Sequence, residues 1–135
     1  MFTKILAAID GGEASMKALM EATRMAVSHH AVLRIVYAAS DSEDADPQTG
    51  LKLLTQAKSV VGEGVQTETR VVQTDAIYGL NGIAEALARA ATEWGADLVV
   101  VGTSNRRGLE RWVIGSVAEQ LIAKVDASVL LVRPH

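Results

Sequence analysis

The sequence predicts an α/β fold: a doubly wound, mainly parallel sheet of five strands with helices on both faces. Three observations predict it. Short uninterrupted apolar runs, such as Ile5-Leu6-Ala7-Ala8-Ile9 and Leu98-Val99-Val100-Val101, have the composition of strands buried on both sides. Between them lie longer stretches whose apolar residues recur at helical spacing, with charges on the opposite face. The two kinds of segment alternate as βαβαβαβαβ, which implies parallel strands joined by right-handed crossovers. A chain of 135 residues that is 49% hydrophobic carries enough apolar surface for one core, and no repeat or linker divides residues 1–135.

The first strand is residues 5–9, closed by the turn Asp10-Gly11-Gly12. Ala18, Leu19, Ala22, Met25 and Ala26 form the inner stripe of the first helix. His29 and His30 close it, where an imidazolium would meet the carbonyl end of the helix dipole. Residues 32–38 are the second strand, and the acidic stretch 40–49, with Pro47, reads as a surface loop. Leu51, Leu54, Ala57 and Val61 mark a second helix that Gly62 and Gly64 stop. Residues 65–73 alternate with one polar side, as a strand near a sheet edge does. Asn81 is placed to cap a third helix, whose stripe from Ile83 to Trp94 puts Trp94 in the core, and Gly95 ends it. The run ending at Gly102 is the most buried-looking strand. Gly115-Ser116 opens the last helix, with Val117, Ala118, Leu121 and Ile122 inward, and residues 128–132 form the final strand.

Several functional classes drop out. The net charge of −3 argues against a dedicated nucleic-acid or anionic-membrane surface. Without cysteine there are no disulfides, no thiolate chemistry and no cysteine zinc site. No apolar run approaches the roughly 18 residues that span a bilayer. The first residues read as a strand and not as a cleavable leader, so the cytoplasm is the expected compartment. The adjacent His29 and His30 point to different sides of a helix, which does not suit a metal. A phosphotransfer site would want a second acid two residues after Asp10, where Gly12 stands. The glycine fingerprint of dinucleotide binding does not follow the first strand. Ser116 has no evident histidine partner, and Glu110, Glu119 and Asp126 read as solvated charges, so no catalytic set is legible.

Open sheets of this kind bind ligands beyond the carboxyl ends of strands, where strand order reverses. Two loops at such ends are unusual: Asp10-Gly11-Gly12, and the stretch from Gly102 to Ser116. In the second, Gly102 and Asn105 suit backbone turns that aim amides at an anion, and Arg106 and Arg107 add positive charge. Amides and a hydroxyl at Gly115-Ser116, starting a helix, would favour phosphate. The same pattern also describes a plain turn and cap, and Asp10 also suits a turn residue.

At these residues the chain resembles the universal stress protein family. Lys4-Ile5-Leu6-Ala7-Ala8-Ile9-Asp10-Gly11 is similar to that family's first strand and acidic turn. Trp94-Gly95-Ala96-Asp97 through Gly102 is similar to its fourth strand, Gly115-Ser116-Val117-Ala118-Glu119 to its last helix, and Val129-Leu130-Leu131-Val132 to its closing strand. The resemblance implies the strand order 3-2-1-4-5, a nucleotide-binding domain over residues 1–135, and ATP or a related adenine nucleotide, with or without Mg2+, between the first and fourth strands. It implies that Asp10 hydrogen-bonds the nucleoside and that Ala38 lines the adenine pocket. Gly102, Asn105, Gly115, Ser116 and Val117 would surround the phosphates, with Arg106 adjacent. The family's ATP motif has a glycine where this chain has Asn105, and its usual His-Gly is Ser104-Asn105 here. The alternative expectation is therefore a nucleotide-free, dimeric interaction module with a protein partner. A slow ATPase ranks below both.

The final strand, Ser128–Val132, is short, strongly β-forming and at a sheet edge in the expected order. Such an edge invites pairing with a second copy of the chain, which the resemblance also implies. The alternative is a monomer whose edge Arg133 and Pro134 protect. Trp112, between the motif glycines, fits either packing under the loop or a partner surface.

Overall fold

The computed structural model describes residues 1–40, 47–74, 79–103 and 109–133. Along these the elements are β1 (Lys4–Ile9), α1 (Glu13–His29), β2 (Val32–Ser40), α2 (Pro47–Val61), β3 (Thr67–Thr74), α3 (Gly79–Trp94), β4 (Leu98–Gly102), α4 (Leu109–Lys124) and β5 (Ser128–Val132). The sheet order is β3-β2-β1-β4-β5, and every pairing is parallel. The chain runs outward from β1 to β3, then crosses back to β4 on the other side. Strand order therefore reverses between β1 and β4, where the sequence places its two unusual turns.

Side chains alternate across the sheet, so each interior strand feeds two cores. On one face Ile5, Ala7 and Ile9 of β1 join Leu33 and Ile35 of β2 and Val100 of β4 beneath α1 and α2. On the other, Leu6, Val36, Val99 and Val101 meet Leu87 and Ala91 of α3 and Ala118 and Leu121 of α4. This double burial is why β1 beyond Lys4, and all of β4, have no polar positions to alternate with. Alanines 18, 22 and 26 of α1 are buried against the sheet, where a larger residue would push the helix away.

Three helix starts differ from the sequence expectation. α2 begins at Pro47, inside the stretch read as loop; proline is favoured in a first helical turn, where its missing N–H is no loss. α3 begins at Gly79, so Asn81 is within the helix and is not its cap. α4 begins at Leu109 and not at Gly115, because Leu109-Glu110-Arg111 are good helix formers with no breaker behind them. Trp112 thus belongs to the backbone of α4 and not to a loop. At the end of α1, Nδ1 of His29 in the last turn accepts the N–H of Phe2 at 3.0 Å. His30 caps the helix in the left-handed conformation, at φ 54°.

The amino ends of β1 and β4 are held by one carboxylate. Asp97 Oδ2 accepts the Thr3 amide at 2.8 Å and its hydroxyl at 3.0 Å, while Oδ1 accepts the Lys4 amide at 3.0 Å. Trp94, half-buried beside them, lies under the Arg34 guanidinium at 4.4 Å and the Lys4 ammonium at 5.7 Å. Its place at the rim of the core follows from that polar neighbourhood. Arg34 is also paired with Glu68 of the edge strand at 2.8 Å.

Burial pushes the Asp97 carboxyl up, but the hydrogen bonds from Thr3 and Lys4 outweigh it and hold the group below its ordinary 3.8. A depressed folded value means the stabilisation is complete above the unfolded value and is lost as pH falls below about 4 through the folded one. Asp97→Asn keeps the shape but removes acceptors. It is expected to lower unfolding free energy by about 1 to 2 kcal/mol near neutral pH, with the difference from the parent shrinking on acidification below about pH 4. Urea midpoints at the two pH values check this; equal midpoints near neutrality would refute it.

Candidate functional site

A crevice opens beyond the carboxyl ends of β1 and β4, with a cavity of about 130 Å³. Its floor is Ala8 and Ile9 of β1 with Val101 and Gly102 of β4, and Ala38 of β2 flanks it. Ile83 and Leu87 of α3 and Val117 and Ala118 of α4 form the far wall. Asp10 and Ser15 supply the polar edge. An apolar slot with a few convergent polar groups is the usual form of a small-molecule site.

The edge is built by the turn between β1 and α1. Asp10 Oδ1 accepts the Gly12 N–H at 2.7 Å, closing an Asx turn. Gly11 has φ +86°, a conformation in which a side chain is strained. The Ser15 hydroxyl accepts the Asp10 N–H at 3.2 Å and donates to the Gly12 carbonyl at 3.0 Å, so one buried side chain ties both ends of the turn. Asp10 thus fills the plain turn role, and a carboxylate has acceptor capacity left for a ligand hydroxyl. From below, Leu53 of α2 packs on the turn: a Cβ at Gly11 would lie 3.3 Å from its Cδ2.

Gly102 has a role that the motif spacing did not reveal. A Cβ there would lie 2.5 Å from the carbonyl carbon and oxygen of Ala14 and 2.8 Å from the Ser15 nitrogen. The first turn of α1 therefore rests directly on the end of β4, and only glycine leaves it room. Beyond this point Thr103 N–H donates to the Val132 carbonyl at 2.8 Å, continuing the β4–β5 pairing.

The structure thus brings Asp10, Ala38, Gly102 and Val117 together at one crevice. Val117 adjoins its apolar wall. Gly115 and Ser116 are inside α4, where an amide is committed to the carbonyl four residues earlier, so they are not the free donors of a helix start. Ser104, Asn105, Arg106 and Arg107 lie outside the described residues, as does Pro134. Ser15, Ile83 and Leu87 were not anticipated. Ser15 left a faint signal as a serine in the first turn of a helix beside an aspartate turn, but the two α3 residues arrive only through the crossover.

The apolar slot suits a base and the Asp10 edge a sugar hydroxyl. Asp10, the charged group among the described lining residues, repels phosphate. Among the described residues no cluster of three or more His, Cys, Asp or Glu is placed to hold a metal. No helix among them is long and apolar enough to cross a membrane.

A model of the universal stress protein family matches residues 1–133. The chain is 31% identical over 155 aligned residues to universal stress protein YxiE of Bacillus subtilis, covering 98% of this chain and 100% of that one. A universal stress protein solved in complex with cAMP has the same fold, with a TM-score of 0.77 at 23% identity over 99% of each chain. So does the universal stress protein of Archaeoglobus fulgidus in complex with dAMP, with a TM-score of 0.72 at 17% identity over 98% of each chain.

Proposed function

The chain belongs to the universal stress protein family, and from that premise we propose that it is a regulatory, stress-response protein that binds an adenine nucleotide between β1 and β4. The observation that carries the reading is the convergence of Asp10, Ala38, Gly102 and Val117 on one apolar crevice at the point where strand order reverses. The cAMP and dAMP held by two proteins of the same fold support it.

In this reading residues 1–135 act as one nucleotide-binding domain. The base enters between Ala38 and Val117, and Asp10 accepts a ribose hydroxyl with the capacity its turn leaves over. Gly102 and the segment that carries Asn105 and Arg106 meet the phosphates; ATP, with or without Mg2+, is the most highly charged ligand of this class. We assign no catalytic residue. The alternative, a nucleotide-free interaction module, draws on Asn105 at the motif's middle glycine.

Calorimetric titration with AMP tests the proposal. Binding is expected, and Asp10→Ala is expected to weaken it about tenfold, the worth of one hydrogen bond. No heat at millimolar nucleotide, in protein shown to be folded, would reject the reading. If Asn105→Gly then created binding, the parent would be the interaction module.

We further propose a homodimer through Ser128–Val132, two copies running antiparallel about a two-fold axis. Among the described residues β5 is a sheet edge paired with β4 alone, and Leu131 on it and Ile122 on α4 remain 42% and 57% exposed. Light scattering at high micromolar concentration is expected to give the mass of a dimer, and Leu130→Pro that of a monomer. A monomeric parent protein would overturn the assignment.

A further inference from the structure

We propose that the outer edge of β3 is a docking strand for an extended segment of another protein in which apolar and acidic residues alternate. The edge lies across the sheet from β5 and apart from the crevice, and the proposal does not rest on the nucleotide reading.

The pairing decides which backbone groups are offered. The Leu33 amide donates to the Gln66 carbonyl at 2.9 Å, so the polar groups of Gln66 point toward β2. Successive residues of a parallel strand turn to alternate sides, so Thr67, Thr69, Val71 and Gln73 direct theirs outward. Among the described residues β3 pairs with β2 alone. Such a row of outward N–H and carbonyl groups is a template for a further strand.

One face of this edge borders a groove of about 470 Å³ between α2 and β3, with Leu51, Leu54, Thr55 and Thr69 in its lining. Leu51 is 53% exposed, and Val71, on the same side of β3 as Thr69, is 38% exposed. Every second side chain of a docked strand would point to this side, where apolar groups would cover Leu51 and Val71. Lys58 and Glu63, which also line the groove, are of opposite sign and give it no bias toward either charge.

The intervening side chains would meet the face that carries Glu68 and Arg70. Glu68 is already paired with Arg34 at 2.8 Å. Arg70 is exposed, and its guanidinium donates to the Thr69 carbonyl at 2.8 Å, covering one of the outward acceptors. A carboxylate is a stronger partner for a guanidinium than a peptide carbonyl is. An acidic residue beside Arg70 would therefore draw it away and leave the carbonyl to the incoming N–H. A basic residue would be repelled and find the carbonyl still covered. A second copy of this chain fits less well, because it brings another Arg70 and a Glu68 already engaged by Arg34.

Fluorescence anisotropy with a labelled synthetic peptide of alternating valine and glutamate, and with its valine–lysine counterpart, tests the proposal on the whole chain. The glutamate peptide is expected to bind about tenfold more tightly, and Arg70→Ala to reduce that preference to about twofold or less. Thr69→Pro removes one outward N–H at a position where an edge strand tolerates proline. It is expected to keep the parent's circular dichroism and to weaken the glutamate peptide about tenfold or more. Arg70→Ala leaves the backbone unchanged and decides the matter if Thr69→Pro does not fold. No binding of the glutamate peptide at millimolar concentration would overturn the proposal, as would equal affinity for both peptides or parent-like affinity in folded Thr69→Pro. If folded Thr69→Pro instead lowered the mass of the peptide-free protein in light scattering, the edge would belong to a second copy and the proposal would fall.

Discussion

The first turn of α1 lies against the end of β4 with no space for a side chain between them, and the crevice follows from that contact. Ala14 and Ser15 can reach β4 because position 102 carries no Cβ. Once there, Ser15 holds the Asp10 amide and the Gly12 carbonyl, and Asp10 closes its own turn on Gly12. The polar edge is therefore a consequence of backbone proximity at the switch point of the sheet. Leu53 of α2 supports the same turn from the other side. Small displacements of α1 would be felt at Asp10 because interiors packed this densely deform little.

The strands were legible because two-sided burial leaves a simple trace: β1 and β4 are continuously apolar, and β3, at an edge, alternates. Helix beginnings were less so. Propensity says which residues tolerate a helix, but not which of several tolerant residues starts it. Leu109-Glu110-Arg111 carries no stop signal, and the glycine at 115, which looks like a boundary, is accommodated inside α4. Asn81 was misplaced for the same reason, since asparagine suits a cap but is not excluded from a helix.

The site divides along the same line. Asp10 could be placed from the sequence because it follows the first strand, whose end faces the switch point, whereas Ala38, inside β2, was placed only through the family resemblance. The reason for Gly102 could not, because its partner, the first turn of α1, is close in space and far in sequence. Ile83 and Leu87 entered with the α3 crossover and bear no local mark. The glycines of the motif thus stand in different places: Gly102 makes room within the fold, and Gly115 lies inside α4.

The contact at Gly102 can be tested alone. In Gly102→Ala the added methyl must displace α1 or β4, because its nearest neighbours are backbone atoms at 2.5 Å. Overpacking of this kind costs about 1 to 3 kcal/mol. Equilibrium urea unfolding, with AMP affinity measured on the folded variant, is therefore the most direct measurement. A lowered midpoint together with at least about tenfold weaker AMP binding is the predicted result, while a variant with the parent's midpoint and affinity would contradict the account.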